Sequence, residues 1–234
     1  MLKVYPAASR FADDHGWLKT YHSFSFADYY DPSNVNFGPM RVLNDDTVAP
    51  ARGFGPHPHR EMEIVSIVLK GQLQHRDNTG ITEIIKRGDV QRMSAGTGIV
   101  HSEMNPSPTE EVNFLQLWFE PNEYGLQPSY EQVTYDEANM KNALLPVVSN
   151  RVAADHVAYI HQDLTLYLSQ LEAGRTLTFT QAPNRRVFLF VTEGALTLNQ
   201  DTHLERRDAA RITEVTSLDI QTVQGATFLL IDLC

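Results

Sequence analysis

Short apolar runs rich in Val, Ile, Leu and Phe, separated by Gly, Pro and Asn-Asp turns, recur along most of this chain. Examples are Glu63 to Leu69, closed by Lys70-Gly71, then Phe114 to Phe119, then Arg186 to Val191, closed by Glu193-Gly194, and finally Ala226 to Asp232. Runs of this length between turn residues read as β-strands, and their regular spacing predicts an all-β protein of sandwich or barrel type. One segment competes as a helix. Tyr135 to Leu144 suits a short linker helix, because Thr134 and Glu137 stand at capping-box spacing and Pro146 stops the pattern soon afterwards.

The two halves share a weak repeat. Lys70-Gly71 and Gly88-Asp89 recur as Glu193-Gly194 and Arg207-Asp208, each pair placed before a strand. Two similar barrels are expected, residues 1–130 forming the first domain and 131–234 the linker and the second. Simple offsets from the repeat put Thr180 and Ala182 opposite His57 and His59, and Ile220 and Thr222 opposite His101 and Glu103. None of these four counterparts is a competent metal ligand, so the second barrel reads as a copy without a site.

Composition narrows the class of partner. At 234 residues and 42% hydrophobic, the chain can bury a core in one large β domain or two small ones. Its 29 Asp and Glu against 19 Lys and Arg give a net charge of −10, with no basic tail or basic half. Nucleic-acid affinity comes largely from Lys and Arg neutralising phosphates, so direct nucleic-acid binding is not expected. The single cysteine, Cys234, allows no intramolecular disulfide and no Cys-based zinc site, which fits a reducing compartment. The N-terminal Met-Leu-Lys-Val-Tyr-Pro lacks the apolar run of a signal peptide, and stretches such as Val187 to Val191 are too short to span a bilayer. The expectation is a soluble, cytoplasmic protein with no membrane partner.

Chemistry is concentrated in two segments, Gly53-Phe-Gly-Pro-His57-Pro-His59-Arg-Glu-Met-Glu63 and Gly96-Thr-Gly-Ile-Val-His101-Ser-Glu103-Met-Asn105. In a strand, residues i and i+2 point to the same face, so His57 with His59, and His101 with Glu103, each present two ligands in one direction. Two such pairs from facing strands of a small barrel could converge on one ion, and imidazole plus carboxylate suits iron, manganese, nickel, copper, cobalt or zinc. Three imidazoles and one carboxylate leave an octahedral ion open to other molecules. Glu63 is a rival ligand, since four residues past His59 it keeps the same strand parity. The remaining histidines, His15, His22, His75, His156, His161 and His203, read as ordinary hydrogen-bonded residues, and Trp17 and Trp118 as core.

These segments resemble the two motifs of the cupins. The first, Gly-x5-His-x-His-x3-Glu-x6-Gly, is followed from His57 to Gly71, with Ala51 at the first glycine and one extra residue before Gly71. The second appears as Gly88, Ser94, Gly96, His101 and Asn105, with two additional residues before the histidine. Among cupins the chain resembles the pirins, through His15-Gly-Trp-Leu, Phe24-Ser-Phe-Ala-Asp-Tyr-Tyr-Asp-Pro32, Phe54-Gly-Pro-His-Pro-His-Arg60 and Ser94 to Asn105. The resemblance implies two cupin domains in tandem, with one metal ion on His57, His59, His101 and Glu103, and thereby favours Glu103 over Glu63.

The same resemblance implies an activity. Bacterial pirins resemble quercetin 2,3-dioxygenases, which implies a small aromatic substrate and dioxygen, cleavage of a flavonol with release of carbon monoxide, and Fe(II) as the expected ion. Glu103 would then serve as ligand and as proton acceptor. Phe54 and Met93 are expected to wall a flat substrate and Arg60 to meet its oxygens. A second reading, also implied by the family, is a redox-sensing regulator whose iron state controls the binding of a protein partner.

Overall fold

The computed structural model describes all 234 residues, which form 21 strands and two short 3-10 turns, in keeping with an all-β chain. The first half holds β1 (Leu2–Tyr5), β2 (Phe11–Asp14), β3 (Leu18–His22), β4 (Met40–Val48), β5 (Gly53–His59), β6 (Glu63–Lys70), β7 (Gln72–Asp77), β8 (Thr82–Lys86), β9 (Asp89–Ser94), β10 (Ile99–Met104), β11 (Val112–Phe119) and β12 (Ser129–Thr134). The second holds β13 (Leu145–Ser149), β14 (Leu164–Leu171), β15 (Thr176–Thr180), β16 (Arg186–Gly194), β17 (Leu196–Leu198), β18 (Thr202–Leu204), β19 (Ala209–Thr213), β20 (Ser217–Gln221) and β21 (Ala226–Leu233). No helix is long and apolar enough to cross a membrane.

Two compact units result, and their composition differs from a simple cut after residue 130. One comprises Phe11–Tyr135 with Ala158–Gln162, the other Met1–Arg10, Asp136–Val157 and Asp163–Cys234. In the first, a seven-stranded sheet ordered β12-β9-β6-β11-β4-β3-β2 is joined by a four-stranded sheet ordered β5-β10-β7-β8. The second has a six-stranded sheet ordered β1-β19-β16-β21-β14-β13 and a four-stranded sheet ordered β15-β20-β17-β18. The two orders are the same pattern, and β1 holds beside β19 the edge position that β12 holds beside β9. This is why the first ten residues belong to the second unit: Leu2 pairs with Ile212 and Tyr5 with Ala209.

The repeated dipeptides mark equivalent turns. Gly71 and Gly194 both have positive φ, +76° and +78°, and a Cβ at either would collide with a neighbouring backbone carbonyl, of Glu111 and Gly225 respectively. At the second turn Asp89 Oδ2 accepts from the Lys86 amide at 3.2 Å, and Asp208 Oδ2 accepts from the Glu205 amide at 2.9 Å. The residue before each Asp is left-handed, Gly88 at φ +92° and Arg207 at +69°.

Two expectations need correction here. The helix over 135–144 does not form; the segment makes one 3-10 turn, Glu137–Met140, capped by Asp136 accepting from the Ala138 amide at 2.9 Å. Thr134 cannot cap it because it is the last residue of β12, and its hydroxyl donates to Asp89 Oδ1 at 2.8 Å. The ungapped offset holds on one strand only. Ile220 pairs with Leu177 and Leu198, as His101 pairs with His57 and Asp77, so the counterpart of His57 is Leu177 and not Thr180.

The interiors of the two barrels differ in chemistry. In the second, Val187, Leu189, Val191, Phe228, Leu230 and Ile220 form part of one continuous apolar cluster. The first is divided. Along β6 the inward positions are Ile64, Ser66 and Val68, of which Ile64 belongs to one apolar cluster and Val68 to another. Ser66, between them, opens a polar layer into which the site is built.

Candidate metal centre

Antiparallel pairing of β5 with β10 sets His57 directly opposite His101 and His59 opposite Ile99. His57 and His59 share a face because they are two residues apart on one strand. The three imidazoles therefore meet: ring centroids lie 4.4 Å apart for His57 and His101, 4.9 Å for His57 and His59, and 4.8 Å for His59 and His101. One nitrogen from each ring falls within 4.8 Å of the others, the spacing of donors around a single ion. A register shift between His101 and Glu103 follows, and Gly53 permits it, since a Cβ there would run into the Glu103 carbonyl.

Two of the rings have their lone pair directed by a neighbour. His57 Nδ1 donates to the Gly55 carbonyl at 2.8 Å, which leaves Nε2 unprotonated. Behind His101 stands a buried chain: Asp77 Oδ2 accepts from His75 Nε2 at 2.9 Å, and His75 Nδ1 lies 3.3 Å from His101 Nδ1. With its Nε2 proton on the Asp77 side, His75 offers Nδ1 as acceptor, so His101 carries its proton on Nδ1 and exposes a lone pair at Nε2. That Nε2 is buried and has no hydrogen-bond partner. Burial, then the neighbouring His57, lowers the His59 pKa to about 4, and burial with His57, His59 and His75 lowers that of His101 further. Imidazoles gathered in this way, one with an orphaned buried lone pair, fit a borderline transition metal.

Glu103 lies beside this cluster rather than within its tight group of nitrogens. Its side chain is buried, with Oε2 accepting from Gln116 Nε2 at 2.7 Å and Oε1 from the Ser66 hydroxyl at 3.5 Å. Burial raises its pKa, against the opposing pull of Gln116, His75 and His57. Gln116 is itself oriented by Trp118, whose Nε1 donates to Gln116 Oε1 at 3.0 Å. Trp118 in turn meets His59 edge-on at 4.7 Å. On Asp77, burial raises the pKa, but hydrogen bonds from Thr79, His75 and Ile81 outweigh it and leave the carboxyl below its ordinary range.

His57, His59 and Glu103 open into a cavity of about 380 Å³, within the size range of small-molecule sites. Of the residues expected to meet a substrate, Phe54 lines it, packed edge-on against Trp17 at 5.4 Å. Met93 does not. It is fully buried in a cluster with Ile64, Ala95 and Ile99, and Trp118 packs against that cluster while lining the cavity itself. Arg60 also stands outside the cavity lining, where its Nε donates to the Thr97 carbonyl at 3.0 Å. Glu63 turns away from the cluster: its Oε2 accepts from the Ser94 hydroxyl at 3.0 Å and the His161 amide at 3.1 Å.

The cavity wall holds residues that sequence reasoning passed over or treated as structural: His22, Phe26, Asn44, Asp46, Gln116 and Trp118. A signal existed. Asn44-Asp45-Asp46 reads as a turn, yet it sits in the middle of β4, where all three residues are buried.

A two-barrel, all-β chain with one cluster of metal-competent imidazoles in its first barrel is a bicupin with a candidate metal site. The chain belongs to the pirin family: the Pirin family model matches residues 4–119, and the model described as quercetinase C-terminal cupin domain matches residues 147–233. It is 39% identical over 233 residues to the quercetin 2,3-dioxygenase of Escherichia coli K12, covering 100% of this chain and 99% of that one. It is 38% identical to a pirin-like protein of Caulobacter vibrioides, covering 94% of each. Its structure is similar to that of the bacterial pirin YhhW from Escherichia coli in complex with nickel(II), with a TM-score of 0.94, 38% identity, and coverage of 100% and 99%.

Proposed function

We propose that this protein is a metal-dependent dioxygenase that opens the heterocycle of flavonols such as quercetin, with His57, His59, His101 and Glu103 holding one divalent ion, Fe(II) in the resident state. The observation that carries this reading is the cluster of three imidazoles, one with a buried, partnerless Nε2, opening into an aromatic-walled cavity that also holds Glu103. The names of its relatives point the same way.

A divalent ion at this site supplies Lewis acidity toward an enolic hydroxyl and, if redox-active, electronic coupling to dioxygen. The protein does the rest. Trp118, Phe26 and Phe54 flank a flat aromatic ligand and exclude water. Glu103, held in place by Gln116, is positioned to take the proton of the flavonol 3-hydroxyl. The reaction balances without an external reductant: one flavonol and one dioxygen give one depside and one carbon monoxide.

Purified protein loaded with Fe(II) should consume oxygen and release carbon monoxide with quercetin, and His101→Ala and Glu103→Gln should lose both signals. Metal-loaded protein that turns over no faster than buffer overturns the reading. Elemental analysis of protein purified without added metal should find iron, and zinc, nickel, manganese, copper or cobalt in its place would correct the ion.

A further inference from the structure

The register of the seven-stranded sheet assembles a polar stripe inside the first barrel. Gln91 pairs with Ser66, Ser66 with Gln116, Gln116 with Asn44, and Asn44 with His22, across β9, β6, β11, β4 and β3. Paired residues point to the same face, so these side chains line up across the interior. Asp46 lies two residues along from Asn44 on that face and receives a side-chain hydrogen bond from Thr20. The second barrel keeps apolar residues inside, so the fold itself does not demand polarity here.

Besides the side-chain amide of Gln91, which lies outside the cavity lining, three atoms of this stripe have no hydrogen-bond partner within the protein: His22 Nδ1, Asn44 Oδ1 and Asp46 Oδ1. Their residues are only 6%, 3% and 4% exposed, and all three line the cavity of the metal centre. An unmet buried polar group is costly, so three on one cavity wall mark a surface made to be completed by a ligand. A hydroxyl group, which both donates and accepts, can complete all three.

An aromatic path connects this wall to the metal cluster. Trp118 stands edge-on to His59, Phe26 edge-on to Trp118 at 5.2 Å, and the same Phe26 edge-on to His22 at 5.1 Å. From Gln116, which holds Glu103, the stripe reaches His22 in two strand spacings, roughly 10 Å. A flat molecule of two or three rings has that reach.

We infer that His22, Asn44 and Asp46 form a hydroxyl-recognition subsite that selects flavonols carrying hydroxyl groups on the pendant ring, the ring directed away from the metal. The inference rests on the dioxygenase reading for the orientation of the ligand, and adds to it the residues that discriminate among substrates.

Anaerobic equilibrium binding to the metal-loaded protein tests it, using two flavonols that differ only in having adjacent hydroxyls or none on the pendant ring. The wild type should bind the hydroxylated one at least tenfold more tightly. Asn44→Val and Asp46→Ala should bring the ratio to within twofold by weakening that ligand alone. Asp46→Asn keeps the side-chain shape, guards against a folding defect, and should lower the ratio at least threefold. A wild-type ratio under twofold, or a ratio that survives all three substitutions, overturns the subsite. An aerobic assay for carbon monoxide separates the two ideas. Hydroxyl selectivity without carbon monoxide removes the catalytic reading and leaves the subsite, whereas equal carbon monoxide from both flavonols in every variant removes the subsite and leaves catalysis. Absence of binding by either flavonol overturns both.

Discussion

His75 Nδ1 stands 3.3 Å from His101 Nδ1, and the proton between them is set by Asp77 on the far side of His75. The carboxylate can only accept, so His75 donates from Nε2 and accepts at Nδ1. His101 is thereby locked in the tautomer that turns its Nε2 lone pair toward His57 and His59. In Asp77→Asn the amide can donate to His75 Nε2, which moves the His75 proton to Nδ1 and forces His101 into the opposite tautomer. Metal affinity of Asp77→Asn and His75→Phe, measured by competition with a chelator, should fall 10- to 100-fold. An unchanged affinity in both variants contradicts this role.

Much of the histidine cluster was legible because it depends on strand parity within continuous strands, as for His57 with His59 on β5. Parity misled where the strand was not continuous. Glu63 has the same parity as His59, but Glu61 adopts φ +49° between them, and the chain passes from the four-stranded sheet into the seven-stranded one. The count therefore carries no information about facing. His22, Asn44 and Asp46 were illegible for another reason: they converge through cross-strand register, and a polar triplet such as Asn44-Asp45-Asp46 gives no local sign that it lies inside a barrel. Assignment of Met1–Arg10 to the second unit likewise depends on a pairing of β1 with residues some two hundred positions away.

That pairing makes a prediction about stability. Leu2 and Val4 on β1 pack against the apolar core of the second barrel. Val4→Asp places a charge there and removes apolar contact, at a cost of about 2–3 kcal/mol. Hydrogen exchange should quicken in peptides covering Ala209–Thr213, the partner of β1, and unchanged protection there would show that the edge strand contributes little.

Asp46 gives a pH dependence with a definite sign. Burial, with Asp45 and Glu103 adding to it against the Thr20 hydrogen bond, raises its pKa to about 7. Between the ordinary carboxylate value, about 4, and pH 7 the unfolded chain has lost a proton that the folded one keeps, so this group lowers stability as pH rises through that window. Asp46→Asn has no proton to lose. Its stability relative to wild type should rise by about 2–4 kcal/mol from pH 4 to pH 8, read from urea unfolding of metal-free protein at each pH. Parallel pH profiles for the two proteins contradict the shift.

Glu63 and Glu103 can be told apart by asking what each carboxylate satisfies. Both hydrogen bonds to Glu63, from the Ser94 hydroxyl and the His161 amide, arrive at the same oxygen, Oε2. A glutamine can present its carbonyl oxygen at that point, so Glu63→Gln should keep both bonds and change stability by less than about 1 kcal/mol. Glu63→Leu leaves two buried donors without an acceptor and should cost about 2–4 kcal/mol. Neither should alter metal affinity, because the side chain faces away from the imidazole cluster. Glu103→Gln should do the reverse. Its amide can preserve the shape of the contact with Gln116, but it removes the carboxylate charge that Glu103 sets beside His57, His59 and His101, so metal affinity should drop at least tenfold while the melting temperature of the metal-free protein holds. Loss of metal in Glu63→Gln, or full retention in Glu103→Gln, would exchange the two roles.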